Sequence, residues 1–134
     1  MANLLYPLWK QELVKATANT PLTGVIKVAL VDTGTYVYNA AHQFYSSMSG
    51  VAGTPQTLAT KTYVNGVFDA ADITYTAVSN GAVTCEALIF YCDTGVAATS
   101  PLIALIDTGI TNMPVTPNGG DITIVWNASG IFQV

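Results

Sequence analysis

VTCEALIFYCDTGVAATSPLIALIDTG, residues Val83 to Gly109, decides how the rest of the chain is read. It holds two apolar runs, Ala87 to Tyr91 and Leu102 to Ile106, each leading into an Asp-Thr-Gly triplet. A strand with one wet face alternates apolar and polar residues, whereas a strand covered on both faces need not. Neither run alternates, so both are expected as strands at the centre of the core. The small residues between Val96 and Pro101 cross from one to the other.

Outward from this centre the chain reads as strands and turns. Val25 to Asp32 is a strand with Ile26, Val28 and Leu30 on one face and Lys27 interrupting the other, which predicts half-burial. Thr57 to Tyr63, Val67 to Asp69 and Ile73 to Val78 are further short strands. Asn65-Gly66 between two of them signals a type I′ hairpin, whose central residues both need positive φ. Ser79-Asn80-Gly81 supplies another turn. Gly50 to Thr57 is expected as a loop from its Gly and Pro content, and Met113 to Gly120 likewise. Gly34 to Ser49, with Tyr36, Tyr38, Phe44 and Tyr45 around His42, fits a loop, a short helix or a strand pair. In Asp121 to Asn127, Ile122, Ile124 and Trp126 alternate with Thr123, Val125 and Asn127, so a strand with one apolar face is predicted, and Ile131 to Val134 forms a last one.

Leu4 to Ala16 is the one helix candidate. Leu5, Trp9, Leu13 and Ala16 share a face, Lys10, Gln11 and Lys15 fall largely opposite, and Pro7 suits a first turn. Thr17 to Gly24 ends it. About eight short strands and one helix define a mainly β chain, an antiparallel β-sandwich of jelly-roll or immunoglobulin-like type with a short N-terminal helix. The expected organisation is a single domain over 1–134, with 1–20 as N-terminal helix or arm and 21–134 as sandwich.

The 134 residues are 51% hydrophobic, enough to bury a core and to argue against disorder. Only 9% are charged, against roughly 25% in an average soluble domain. So neutral a chain is expected to cover part of its surface in an assembly. The basic residues are four lysines, Lys10, Lys15, Lys27 and Lys61, and the net charge is −4, which disfavours phosphate neutralisation and hence nucleic acid. No apolar run approaches the roughly 20 residues of a membrane span, and no secretory signal is visible, so a cytoplasmic site of synthesis is expected. The acceptor triplet Asn127-Ala128-Ser129 then carries no weight.

Cys85 and Cys92, placed on one strand with an odd separation, would face opposite sides about 23 Å apart, too far to pair. Two buried free thiols are expected. With His42 the only histidine, a thiolate-imidazole metal site has no ligand set.

Asp-Thr-Gly occurs at Asp32, Asp93 and Asp107. It is the active-site triplet of aspartic proteases, in which paired carboxylates share one proton, and a homodimer with one triplet per subunit would suit this length. Such enzymes follow the triplet with Ala or Ser, whereas Thr35, Val96 and Ile110 follow here. Their later apolar-apolar-Gly segment followed by Arg or Asn is missing too. Asp-Thr-Gly is also good turn chemistry at a strand end, since Asp caps nearby backbone and Gly permits positive φ, and three copies favour that reading. Asp69, Asp72, Asp93, Asp107 and Asp121 could offer oxygen ligands to calcium if strand ends converge, although no spaced loop motif is present. Neither a phosphate loop nor a His-paired nucleophile occurs.

Four segments carry a resemblance: Ile26 to Thr33 (IKVALVDT), Val64 to Ala70 (VNGVFDA), Thr99 to Ala104 (TSPLIA) and Pro114 to Thr123 (PVTPNGGDIT). Together they resemble small structural proteins of tailed bacteriophages, over about Thr23 to Val134. Asp69-Ala70-Ala71-Asp72 departs from the resemblance with an alanine in place of a further acidic residue, and Cys92 stands where a lysine is expected. The resemblance implies a virion structural protein, a capsid decoration or cement protein that bridges capsomers on the shell surface. It would be a non-enzyme without cofactor, made in the host cytoplasm. Its partners would be the major capsid protein and other copies of itself, as trimer or dimer, with neither nucleic acid nor membrane. A tail or adsorption component is the alternative, with the homodimeric protease behind it. Aromatics favour interface cores, so Leu5, Tyr6 and Trp9 from the helix and Tyr36, Tyr38 and Tyr45 from the aromatic stretch are the candidate contact residues.

Overall fold

A computed structural model describes residues 3–14, 22, 24–79 and 83–134. Among the described residues the chain is mainly β, with antiparallel sheets and one α-helix. In order come β1 (Leu4–Leu5), α1 (Pro7–Val14), β2 (Ile26–Val31), β3 (Val51–Thr57), β4 (Thr62–Val64), β5 (Val67–Asp69), β6 (Ile73–Tyr75), β7 (Ala87–Cys92), β8 (Leu102–Ile106), β9 (Ile122–Ile124) and β10 (Phe132–Gln133). Single 3₁₀ turns lie at Tyr45–Ser47 and Ala97–Thr99.

A five-stranded sheet in the order β1-β8-β7-β2-β3 forms the body, beside a three-stranded sheet β10-β5-β4 and a pair β6-β9. The layers are sandwich-like and do not close into a barrel. Every residue of β7 and of β8 is buried, as the unbroken apolar runs require. Adjacent residues of β7 reach opposite layers. Phe90 meets Trp126 and Phe132, while Tyr91 stacks on Tyr45 with centroids 4.1 Å apart. The Asn65-Gly66 turn forms as predicted: φ is 53° at Asn65 and 78° at Gly66, and Val64 pairs with Val67. Ile122, Ile124 and Trp126 are buried and Thr123, Val125 and Asn127 exposed, matching the alternation.

Four expectations are corrected. Leu4 and Leu5 are not helical: they pair with Leu105 and Ala104 as an edge strand, and α1 begins at Pro7, whose missing N–H costs nothing in a first turn. The strand at 26–31 is not half-buried. Ala29 and Val31 are enclosed as well, and Lys27 reaches Asp93 from between β3 and β7. Residues 51–57 are a strand rather than a loop. β3 is an edge, and its register slips between Val28 and Leu30, leaving Gly53, Thr54 and Pro55 opposite Ala29. A bulge at an edge accepts both a proline and the positive φ of 66° at Gly53. Finally, β7 starts at Ala87, and Cys85 sits outside it, bridged to Val115. Both cysteines are free and buried.

The expected turn at 17–24 and the positions of Lys15 and Ala16 lie largely outside the described residues, as does most of Ser79-Asn80-Gly81. Residues 34–49, left open between three conformations, are loop with the 3₁₀ turn at Tyr45–Ser47 and an isolated bridge from Phe44 to Pro101.

Candidate functional site

The aspartates do backbone work at separate places. In the first triplet the Gly34 N–H donates to Asp32 Oδ1 (2.8 Å) and the Thr35 hydroxyl to Oδ2 (2.7 Å). In the second the Gly95 N–H donates to Asp93 Oδ1 (2.9 Å), while Lys27 Nζ lies 2.9 Å from Oδ2. The Gly95 amide first, and Lys27 next, hold the Asp93 carboxyl below its usual range against a smaller opposing effect of burial. The third triplet is clamped from the N-terminus: Asn3 Oδ1 accepts from the Asp107 and Thr108 N–H groups at 2.8 and 3.0 Å. φ is positive at Gly95 and Gly109 but not at Gly34.

β2 and β7 run antiparallel, so Asp32 and Asp93 close opposite ends of the sheet, about 20 Å apart by strand rise. Among the remaining aspartates, Asp69 Oδ1 accepts from Ala70 N–H, Asp72 Oδ1 from Trp126 N–H and Asp121 Oδ1 from Ala77 N–H. Among the described residues no three His, Cys, Asp or Glu side chains gather as a metal site. Burial first, with Asp32 and Glu86 adding to it, pushes the Cys85 thiol up to about 11, which keeps it protonated at neutral pH.

The six candidate contact residues divide. Tyr6, Trp9 and Tyr36 are at most 2% exposed and belong to the chain's own core, so they offer no outward surface in this conformation. Leu5, Tyr38 and Tyr45 are half-buried against that core. Three of the six meet in one cluster around His42. The Tyr6 and Tyr36 hydroxyls are 2.6 Å apart, Tyr36 Oη lies 3.0 Å from His42 Nδ1, and Tyr38 tilts over the Tyr6 ring at 5.0 Å. Burial raises the ionisation of Tyr6 and Tyr36 above the ordinary phenol range, so both stay protonated through neutral pH.

A surface patch escaped the sequence reading. β4 is exposed at all three positions, and Tyr63 and Val64 stand out at 45% and 63% exposure. With the exposed Val134 they adjoin a groove of about 200 Å³ lined by Leu22, Tyr63, Gly66, Val67, Phe68 and Val134. Its lining carries no charged side chain. The signal available in sequence was Tyr63-Val64 in front of the Asn65-Gly66 turn, two large apolar residues in succession on a strand too short to bury both.

Neither a protein-family model nor a curated protein matches the chain. No helix among the described residues is long and apolar enough to cross a membrane.

Proposed function

We propose that this chain is a non-catalytic structural protein of a tailed-bacteriophage virion, a capsid decoration protein that binds the major capsid protein and neighbouring copies of itself and has its place on the outer shell. The observation that carries the proposal is the apolar patch of Tyr63, Val64 and Val134 around a groove lined by no charged side chain, on a chain only 9% charged. Such a patch gains free energy when covered, at roughly 25 cal/mol per Å² of apolar area, and a shell repeats the contact many times. The four segments resembling phage structural proteins supply the class of particle. Aspartates committed to backbone turns agree with a role in packing rather than in proton transfer.

Quantitative mass spectrometry of separated head and tail fractions from the parent particle tests this. Hundreds of copies per head are expected. A few copies confined to tails would transfer the chain to the adsorption apparatus, and absence from both fractions would overturn a virion role.

A further inference from the structure

We infer that β4 is a docking edge for a second copy of this chain: two β4 strands pair antiparallel across a two-fold axis at Tyr63 and join two three-stranded sheets into one. The inference names the occupant of one side of the apolar patch, and it rests on the assembly reading for the claim that this patch is covered. The backbone supplies the first argument. β4 ends the order β10-β5-β4, so one side of it meets no strand among the described residues. Val64 and Val67 close the two-residue turn as a hydrogen-bonded pair, which makes Tyr63 and Phe68 the next, non-hydrogen-bonded pair. Phe68 behaves accordingly: its carbonyl turns to the other neighbour and accepts from the Ile131 N–H at 2.8 Å. The Tyr63 N–H and C=O therefore point the opposite way, out of the edge, with no partner there among the described residues. Leu22 and Gly24 are held nearby by side chains, Tyr63 Oη donating to Leu22 O (2.7 Å) and Lys61 Nζ to Gly24 O, and neither takes a bond from the β4 backbone.

The second argument is a contrast between edges. An open edge invites pairing with another chain, and natural sheets blunt it with prolines, bulges, charges or short strands. The other ends of the two larger sheets are blunted in this way. β3 carries a bulge and Pro55, β1 is two residues long and runs into Pro7, and β10 is two residues long. β4, reading Thr62-Tyr63-Val64, holds neither proline nor bulge nor charge, and all three residues are exposed. Threonine, tyrosine and valine are also favoured in strands.

What fills a backbone edge is another strand, and a second β4 does so without conflict. With the axis at Tyr63, this residue exchanges both its backbone bonds with Tyr63 of the second copy, and Thr62 stands opposite Val64. It is the one register that pairs every β4 residue with a β4 residue. Lys61, the charge next to the strand, falls opposite Asn65 of the second copy and not opposite another lysine, so no like charges face each other. The contact repeats identically on both sides of the axis, as a closed two-fold interface requires.

Cysteine cross-linking of the full chain reads this register. Opposed residues 62 and 64 form a non-hydrogen-bonded pair with Cα atoms about 4.5 Å apart, within disulfide reach, whereas 62 and 62, or 64 and 64, lie about 7–8 Å apart. Both positions are exposed, so substitution spares the fold, and the native Cys85 and Cys92 are buried. Under mild oxidation a mixture of Thr62→Cys and Val64→Cys chains should give a disulfide-linked heterodimer, and neither variant alone should give a dimer. In sedimentation equilibrium the natural chain should rise from its 14.0 kDa monomer mass toward twice that value as concentration approaches about 1 mM, the range of a small interface. A natural chain that stays monomeric throughout, or cross-linking as strong in either variant alone as in the mixture, would overturn the pairing. The copy number in heads decides the virion role separately.

Discussion

The five-stranded body and the β10-β5-β4 sheet are built on different principles from similar residues. In the body, β7 and β8 are buried at all eleven of their positions, six and five respectively, and their side chains fill both layers. In the small sheet β4 is exposed throughout and only Phe68 of β5 is buried, so the sheet meets the body on one face, through Phe68 and through Phe132 against Phe90. A type I′ turn at Asn65-Gly66 sets the register, and the Ile131 and Val134 N–H groups reach Phe68 O and Gly66 O. Apolar content alone does not make a core strand. Length and cover on both faces do, and a three-residue strand beside a tight turn leaves its valine and tyrosine to meet something else.

If that contrast is right, truncating the body should cost most. Phe90→Ala, which empties the space between Trp126 and Phe132, is expected to lower stability by about 3–5 kcal/mol in a urea titration. A loss below about 1 kcal/mol would put the core elsewhere. The small sheet should instead be sensitive in its backbone. Gly130 has φ of +106°, and an added Cβ would lie 2.4 Å from Val67 Cγ1, so Gly130→Ala is expected to cost about 1–3 kcal/mol through strain next to β5 and β10.

A smaller effect belongs to the charged end of the five-stranded sheet, where Lys27 of β2 meets Asp93 after β7. Because the Gly95 amide and Lys27 hold the Asp93 carboxyl low, the folded state resists its protonation. The resulting stability is present above the ordinary aspartate range, near pH 4, and is lost as the pH falls through and below it. Asp93→Asn keeps an oxygen for the Gly95 N–H and gives up the ion pair. It should cost less than about 1 kcal/mol at pH 7, and acid titrations of the two proteins should converge at low pH. Smallest of all is Val64→Thr on the exposed strand, expected within about 0.5 kcal/mol of the natural chain in the isolated protein. If the patch is an assembly surface, the same change should weaken binding to capsid shells in a co-sedimentation assay.

The same contrast explains what could be read from the residues. β7 and β8 were legible because an unbroken apolar run leaves few choices, and the Asn65-Gly66 turn because its φ demands suit few other pairs. β3 was hidden: Gly53 and Pro55 signal a loop, and only an edge position with a bulge reconciles them with pairing. β1 was hidden by α1, whose apolar spacing extends back over Leu5. Aromatic type marked Tyr6, Trp9 and Tyr36 for contact but could not say with what. Tyr6 meets Tyr36 thirty positions away, a separation that no local pattern encodes.

The central claim, that β7 and β8 carry the stability while β4 is an exposed edge strand, is tested most directly by native-state hydrogen exchange across the strands. Amides of Leu88 to Tyr91 and of Ala104 to Leu105 should exchange only through global unfolding, and those bonded within the β4-β5 hairpin through local opening, orders of magnitude faster. Equal protection in β4 and in β7 would contradict the account, because an exposed three-residue edge strand would then open only with the core.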